Sequence, residues 1–204
     1  MLKQMKQAIL ATAVLTLLLG LGYPLAMTGL AQALFPAQAH GSLIEKGGQV
    51  VGSELIAQGF AKPQYFHPRP SATTDTDPND STRQVPSPYN AASSNASNYA
   101  PTAKNLVSDV QSRVAALKVE NPHARIPIPV DLVTTSGSGL DPDISPAAAE
   151  YQLPRVAAAR HIPEAELRKL VAGLTEQPTY GVLGEARVNV LRLNLALDEN
   201  YPRR

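Results

Sequence analysis

The side chains with the most chemical potential crowd into residues 134–145, which read TTSGSGLDPDIS. Ser136 and Ser138 supply hydroxyls on a backbone that Gly137 and Gly139 make permissive. Two chemistries fit such a loop. Backbone N–H groups ahead of a helix could cradle an anion, and a serine with a base beside it could act as a nucleophile. Both lack their usual companions, since the chain has no G-x-G-x-x-G, no Lys-bearing phosphate loop and no G-x-S-x-G elbow. The same residues also suffice for a tight, ordered connection, and the missing companions favour that reading. Asp141 and Asp143 suggest a cation, but the remaining positions of an oxygen-ligand loop are absent. They read better as turn formers that favour the positive end of the following helix. The histidines, at 40, 67, 123 and 161, are dispersed and match no metal-ligand spacing. With no Cys in the chain, disulfides, thiolate metal sites and a cysteine nucleophile are excluded.

The elements that position this loop are a β-type run, Ile128–Thr135, and a helix opening at Ser145-Pro146. Ser145 suits an N-cap, and Pro146 suits the first helical position because its missing N–H would bond nothing there. Pro154 should kink or split that helix. Upstream, Leu106, Val110, Val114 and Leu117 recur at helical spacing, which predicts a helix over 102–120. Pro163 opens another, with Leu167, Leu170, Val171 and Leu174 on its buried face. Near the end, Val188 and Val190 alternate with polar residues, but the leucines change parity at Leu191, so a bulge or a change of element is expected. Two short β runs flank Gly47-Gly48 as a hairpin, and Ser53 is placed to begin a short helix. Arg69, between prolines in an extended segment, should hold its guanidinium outward, for a surface ion pair or a ligand. Asn189 and Asn194 read as packing or interface groups.

The first forty residues set the location. Ala8–Leu30 is an apolar run of 23 residues with eight leucines. As a helix it spans about 34 Å, enough for a hydrocarbon core of about 30 Å. Lys3 and Lys6 precede it, which puts the N-terminus inside. Small-x-small cleavage patterns at Ala31-Gln32-Ala33 and Ala37-Gln38-Ala39 keep a signal peptide in play, though the run exceeds the usual length for one. Ala8, Thr12, Thr16 and Gly20 make a small-residue stripe suited to helix packing in lipid, and Tyr23-Pro24 should bend or break the helix near the outer interface. The expected organisation is a cytoplasmic N-terminus at 1–7, a transmembrane helix at 8–30, and one mixed extracytoplasmic domain at 31–204, an α+β fold. A long polar loop is expected at about 73–101, where large apolar residues are scarce. Of 204 residues 18 are proline and the net charge is +1, which points to many stiffened loops and gives no electrostatic case for nucleic acid.

Four motifs carry a resemblance. They are GSLI with VGSELIAQGF at 41–60, YFHPRPSA at 65–72, LVT followed by SGSGLDP, SPAAAEYQ and RVAAAR at 132–160, and G-x-x-x-VNVL-x-LNLALD at 184–198. Together the chain resembles the KdpC subunit family of the bacterial ATP-driven potassium pump. That resemblance implies a retained single span in the bacterial cytoplasmic membrane and a non-catalytic accessory subunit. It also implies partnership with the channel-like, potassium-binding KdpA, the P-type ATPase KdpB and the small KdpF. The family is described as needed for assembly and as raising the ATP affinity of the catalytic subunit, so ATP as a ligand is implied by the resemblance alone. An outward-facing domain cannot touch cytosolic nucleotide across ~30 Å of hydrocarbon, so such an effect would be indirect. The family's glycine-rich run after Pro-Tyr-Asn is here Ser94-Asn95-Ala96-Ser97-Asn98, which puts a glycine-dependent phosphate contact in doubt. The competing class is a membrane-anchored extracytoplasmic hydrolase or anion-binding domain using the 134–145 loop.

Overall fold

Apolar residues all round positions 8–31 favour one long helix without a preferred buried face. In the computed structural model, which describes residues 1–202, this is α1 (Leu2–Leu17), a π turn (Leu18–Gly22) and α2 (Tyr23–Leu34). They run together as a single 33-residue helix, long and apolar enough to cross a membrane. Pro24 does not break it. Its ring opposes the carbonyl four residues back, at Gly20, and the wider π turn that contains Gly20 makes room for it. A short helix, α3 (Pro36–Ala39), then leads to β1 (Leu43–Lys46) and β2 (Gln49–Ser53), an antiparallel hairpin. Its turn residues Gly47 and Gly48 have φ of +61° and +77°, the left-handed pair that hairpin turns require. Ser53 ends β2 rather than starting a helix, because its hydroxyl donates to Gly41 O at 2.7 Å instead of capping a turn.

Residues 1–53 form one compact unit and Glu54 onward a second. The second contains β3 (Thr74–Asp77), β4 (Asp80–Pro86), α4 (Lys104–Glu120), β5 (Asp143–Ile144), α5 (Pro146–Arg160), α6 (Glu164–Gly173), β6 (Thr175–Glu176), β7 (Arg187–Asn189) and α7 (Val190–Asn200). The fold is α+β, with a three-stranded antiparallel sheet in the order β5-β7-β6. Its core gathers Phe66, Leu132 and Ile144 with Leu153 and Val156 of α5, Leu167 and Val171 of α6, and Leu193 and Leu197 of α7. Leu170 and Leu174 pack against it from the rim, so the apolar face expected for α6 is the one it buries.

Three expectations need correction. Ile128–Thr135 is not a strand. Val130–Leu132 is a 3-10 turn closed by Val133 N to Val130 O at 3.1 Å. Pro127 and Pro129 remove two ladder donors, and Asp131 is drawn aside to accept from Ser145 N at 2.7 Å. The polar stretch 73–101 holds the β3–β4 hairpin, whose turn is fixed by Asp77 Oδ1 accepting from Asn79 N at 2.9 Å. TDTD and DSTRQVP have no apolar face, so no periodicity announces these strands. Pro154 does not split α5, because Leu153, Val156 and Ala157 are buried on either side of it and packing outweighs the lost bond.

Asn189 marks the change of element near Leu191. Its Oδ1 accepts from Arg192 N at 3.0 Å as the cap of α7, while its Nδ2 donates to Glu54 O at 2.8 Å. Asn189→Ala should therefore lower unfolding free energy by about 1–2 kcal/mol, read from urea denaturation of the full chain. An unchanged midpoint would refute the capping role.

Candidate functional site

The Gly/Ser loop is a junction of backbone segments. Ser138 O accepts from Asn95 N and from Ser94 Oγ, both at 3.0 Å. Gly139 O accepts from Ser71 Oγ at 2.7 Å, and Leu140 O from Ala57 N at 2.9 Å. Three successive carbonyls thus meet three different segments. The serines serve the same loop, with Ser136 Oγ accepting from Gly139 N at 2.9 Å and Ser138 Oγ from Leu140 N at 3.1 Å. Only one of the two glycines is required. Gly139 sits at φ +67°, and a Cβ there would fall 2.5 Å from Asn95 O and 2.8 Å from Thr73 Cγ2. Gly137 lies in open space with no left-handed φ. The Ser94–Asn98 run is what the loop leans on, with Ser97 Oγ also 3.0 Å from Thr135 Oγ1.

Beyond the loop, Ser145 caps α5 by accepting from Ala148 N at 3.0 Å, and the Asp131 carboxylate lies against Ser145 N and Oγ. A carboxylate of the chain itself therefore stands beside the start of α5. Asp141 accepts from Arg69 Nη1 at 2.8 Å and, through its other oxygen, from Asp143 N at 3.1 Å. Arg69 thus forms an ion pair, but a half-buried one rather than the outward, surface pair expected. Burial, with repulsion from Asp141 added, raises the Asp143 carboxyl above its ordinary value, against the pull of Arg187 at 3.2 Å. Burial also pushes the Tyr89 phenol up to about 12. Its OH donates to Arg69 O at 2.9 Å. Among the described residues no three His, Asp or Glu side chains converge to hold a metal.

A second assembly was not visible as a site in the sequence. Residues 62–65 make a turn closed by Tyr65 N donating to Lys62 O at 3.1 Å, and the chain then takes Tyr65 and Phe66 into the interior without belonging to a strand. Asn194 on α7 does for Phe66 what a neighbouring strand would, accepting from its N and donating to its O, both at 2.9 Å. Gln152 on α5 does the same for His67, at 2.8 and 3.0 Å. Arg155 donates to Pro63 O, Tyr65 O, Asn121 Oδ1 and Gln152 Oε1, the longest at 2.9 Å. Arg160 donates to Gln64 O at 2.9 Å and Asp198 Oδ1 at 2.6 Å, with its guanidinium 5.0 Å from the centre of the Tyr65 ring. The only hint in the sequence is that Gln152, Arg155, Arg160 and Asn194 all lie inside the motifs.

In the first unit, Ala8, Thr12, Thr16 and Gly20 are all exposed. A Cβ placed on Gly20 would lie 3.9 Å from Thr16 Cγ2, so the stripe survives the π turn.

Known proteins match this layout along its whole length. The family model described as K+-transporting ATPase, c chain, matches residues 5–199. The chain belongs to the KdpC family. A protein named potassium-transporting ATPase KdpC subunit from Rhodopseudomonas palustris (strain TIE-1) is 60% identical over 203 residues, covering 100% of both chains. One of the same name from Methylorubrum populi is 59% identical over 98% of each, and one from Bradyrhizobium diazoefficiens is 59% identical over 97% of this chain and 98% of its own. The KdpC motifs thus fall on two structural tasks in this chain. SGSGLDP builds the junction loop, and YFHPRPSA, SPAAAEYQ, RVAAAR and the LNLALD helix build the assembly around residues 63–67.

Two outcomes test these tasks. Gly139→Ala should destabilise the chain by about 1–3 kcal/mol, whereas Gly137→Ala should leave the thermal midpoint unchanged. Equal effects would contradict the close approach at Gly139. The other concerns acid. His67 Nδ1 lies 2.8 Å from Glu120 Oε1, and its Nε2 lies 3.1 Å from Lys62 O. The hydrogen bond from His67 holds the Glu120 carboxyl below its ordinary 4.5, aided by the charges of His67 and Arg155 and opposed by burial. A depressed folded value stabilises fully above the unfolded pKa and is lost as pH falls through the folded one. Glu120→Gln should therefore flatten the loss of stability below about pH 4.5. Parallel acid limbs in urea titrations of the two proteins would contradict this.

Proposed function

We propose that this chain is a non-catalytic accessory subunit of a potassium-transporting ATPase, anchored in the cytoplasmic membrane by the helix at 8–30. In this reading residues 1–7 are cytoplasmic and the domain from 31 onward faces outward, following the placement of Lys3 and Lys6 before the apolar run. The partners are the channel-like KdpA, the P-type ATPase KdpB and the small KdpF, and the role is assembly. What supports a structural part over a chemical one is the engagement of Ser136, Ser138, Gln152 and Arg155. Each is bonded to the chain's own backbone, so the groups best suited to chemistry are holding the fold. Any influence on ATP affinity then acts through the conformational equilibrium of the catalytic subunit.

The span docks through Ala8, Thr12, Thr16 and Gly20, where small side chains let a neighbouring helix approach closely. Thr16→Leu and Gly20→Leu should reduce recovery of the chain with affinity-tagged pump subunits and lower potassium-stimulated ATP hydrolysis by about tenfold or more. Val14→Phe, two residues beyond Thr12 and so on the far side of the helix, should be tolerated. Equal loss on both faces would sink the stripe. Full recovery of assembled but inactive pump with Ser138→Ala would sink the non-catalytic reading.

A further inference from the structure

The β6–β7 connection has no use in the interior. From Gln177 through Gly184 it carries no charged residue, and Tyr180, Val182 and Leu183 stand 89%, 79% and 59% exposed. Yet the tip is ordered by its own backbone. Thr179 N donates to Leu183 O at 2.9 Å, Leu183 N to Thr179 O at 3.0 Å, and Gly181 N to Pro178 O at 2.8 Å. At its base Glu176 pairs with Arg187 both in strand register and as an ion pair at 2.7 Å. The turn places Tyr180 at φ +55° and Gly181 at +75°. Asn-Gly would satisfy that turn with less strain, since an aromatic residue is disfavoured in the left-handed region. Folding alone therefore explains neither the tyrosine at this φ nor three exposed apolar side chains in four positions.

A lipid surface and a protein pocket are the two kinds of occupant for such a tip. Lipid accepts apolar groups in any orientation and favours Lys and Arg beside them. Here Arg187 and Arg192 at the base of the loop are already paired with Asp143 and Glu176, and Glu185 adds a further negative charge, a poor match to an anionic bilayer. A fixed, strained presentation of one aromatic and two aliphatic side chains suits a shaped pocket, because a preorganised anchor loses little freedom on binding. We propose that residues 179–183 are a docking finger that inserts Tyr180, Val182 and Leu183 into an uncharged, apolar pocket on another subunit of the pump. This rests on the accessory-subunit reading and gives it a contact surface.

The test uses the full chain, co-expressed with the remaining pump subunits bearing an affinity tag and recovered in mild detergent. Val182→Asp should reduce recovery at least about tenfold, with the thermal midpoint of the chain alone unchanged. Tyr180→Asn should weaken recovery while leaving that midpoint equal or higher, because asparagine tolerates this backbone. A merely structural loop would move the midpoint the other way. If wild type is recovered and both variants are recovered equally, the finger is refuted and the subunit reading stands. If wild type itself is not recovered, the subunit reading fails first. The chain has no Trp, so Tyr180→Trp gives a single emission signal. A blue shift that needs the other subunits supports the pocket. Quenching by brominated lipid in vesicles holding this chain alone would overturn it in favour of the membrane.

Discussion

The strandless segment from Pro63 to His67 is the constraint on which the second unit depends. A backbone taken into the interior outside any helix or sheet must find partners for its N–H and C=O groups, and each one left unpaired costs about 1–3 kcal/mol. No strand lies beside it. Side chains take that place: the amides of Asn194 and Gln152 each close two bonds on one residue, and the guanidinia of Arg155 and Arg160 take the carbonyls between and before them. The segment is thereby fixed between α5 and α7, and Phe66 reaches the centre of the core.

Such an arrangement is stiff in a particular way. Arg155 is desolvated, which lowers its pKa, and Glu120 lies 4.0 Å from its Nε to oppose that effect. Arg155 also bonds Gln152, so removing either side chain strips partners from the other and from the backbone. The same economy governs the junction loop, where Ser71 joins that segment's continuation to Gly139. The sheet contains strands of only two and three residues, so side chains bonded to backbone supplement the apolar core in fixing this part of the domain.

The long apolar helix, a candidate span, meets a different demand. In hydrocarbon, every backbone group must be satisfied within the helix, so a proline has to be absorbed without opening the chain. The π turn at Leu18–Gly22 does this while Thr16 and Gly20 keep a shared face.

Periodicity and end signals in the sequence located α4, α5, α6 and the switch into α7, because those patterns are written within one turn of chain. The glycine hairpin between β1 and β2 was legible for the same reason, as was the family, whose motifs are local strings. The sequence also singled out residues 136–139, but it could not tell Gly139 from Gly137, since the difference lies in Asn95 and Thr73 arriving from elsewhere. Ile128–Thr135 reads as a strand by composition and becomes a 3-10 turn, because a strand requires a neighbour and none comes. Gln152, Arg155 and Asn194 look like ordinary polar residues on helices until the fold brings residues 63–67 against them. What the sequence by itself determined was whatever depends on near neighbours along the chain: the long apolar helix, the caps and the helical faces. Which buried backbone groups would lack partners, and which side chains would supply them, only the tertiary structure decided, because those pairings join residues 85 to 128 positions apart.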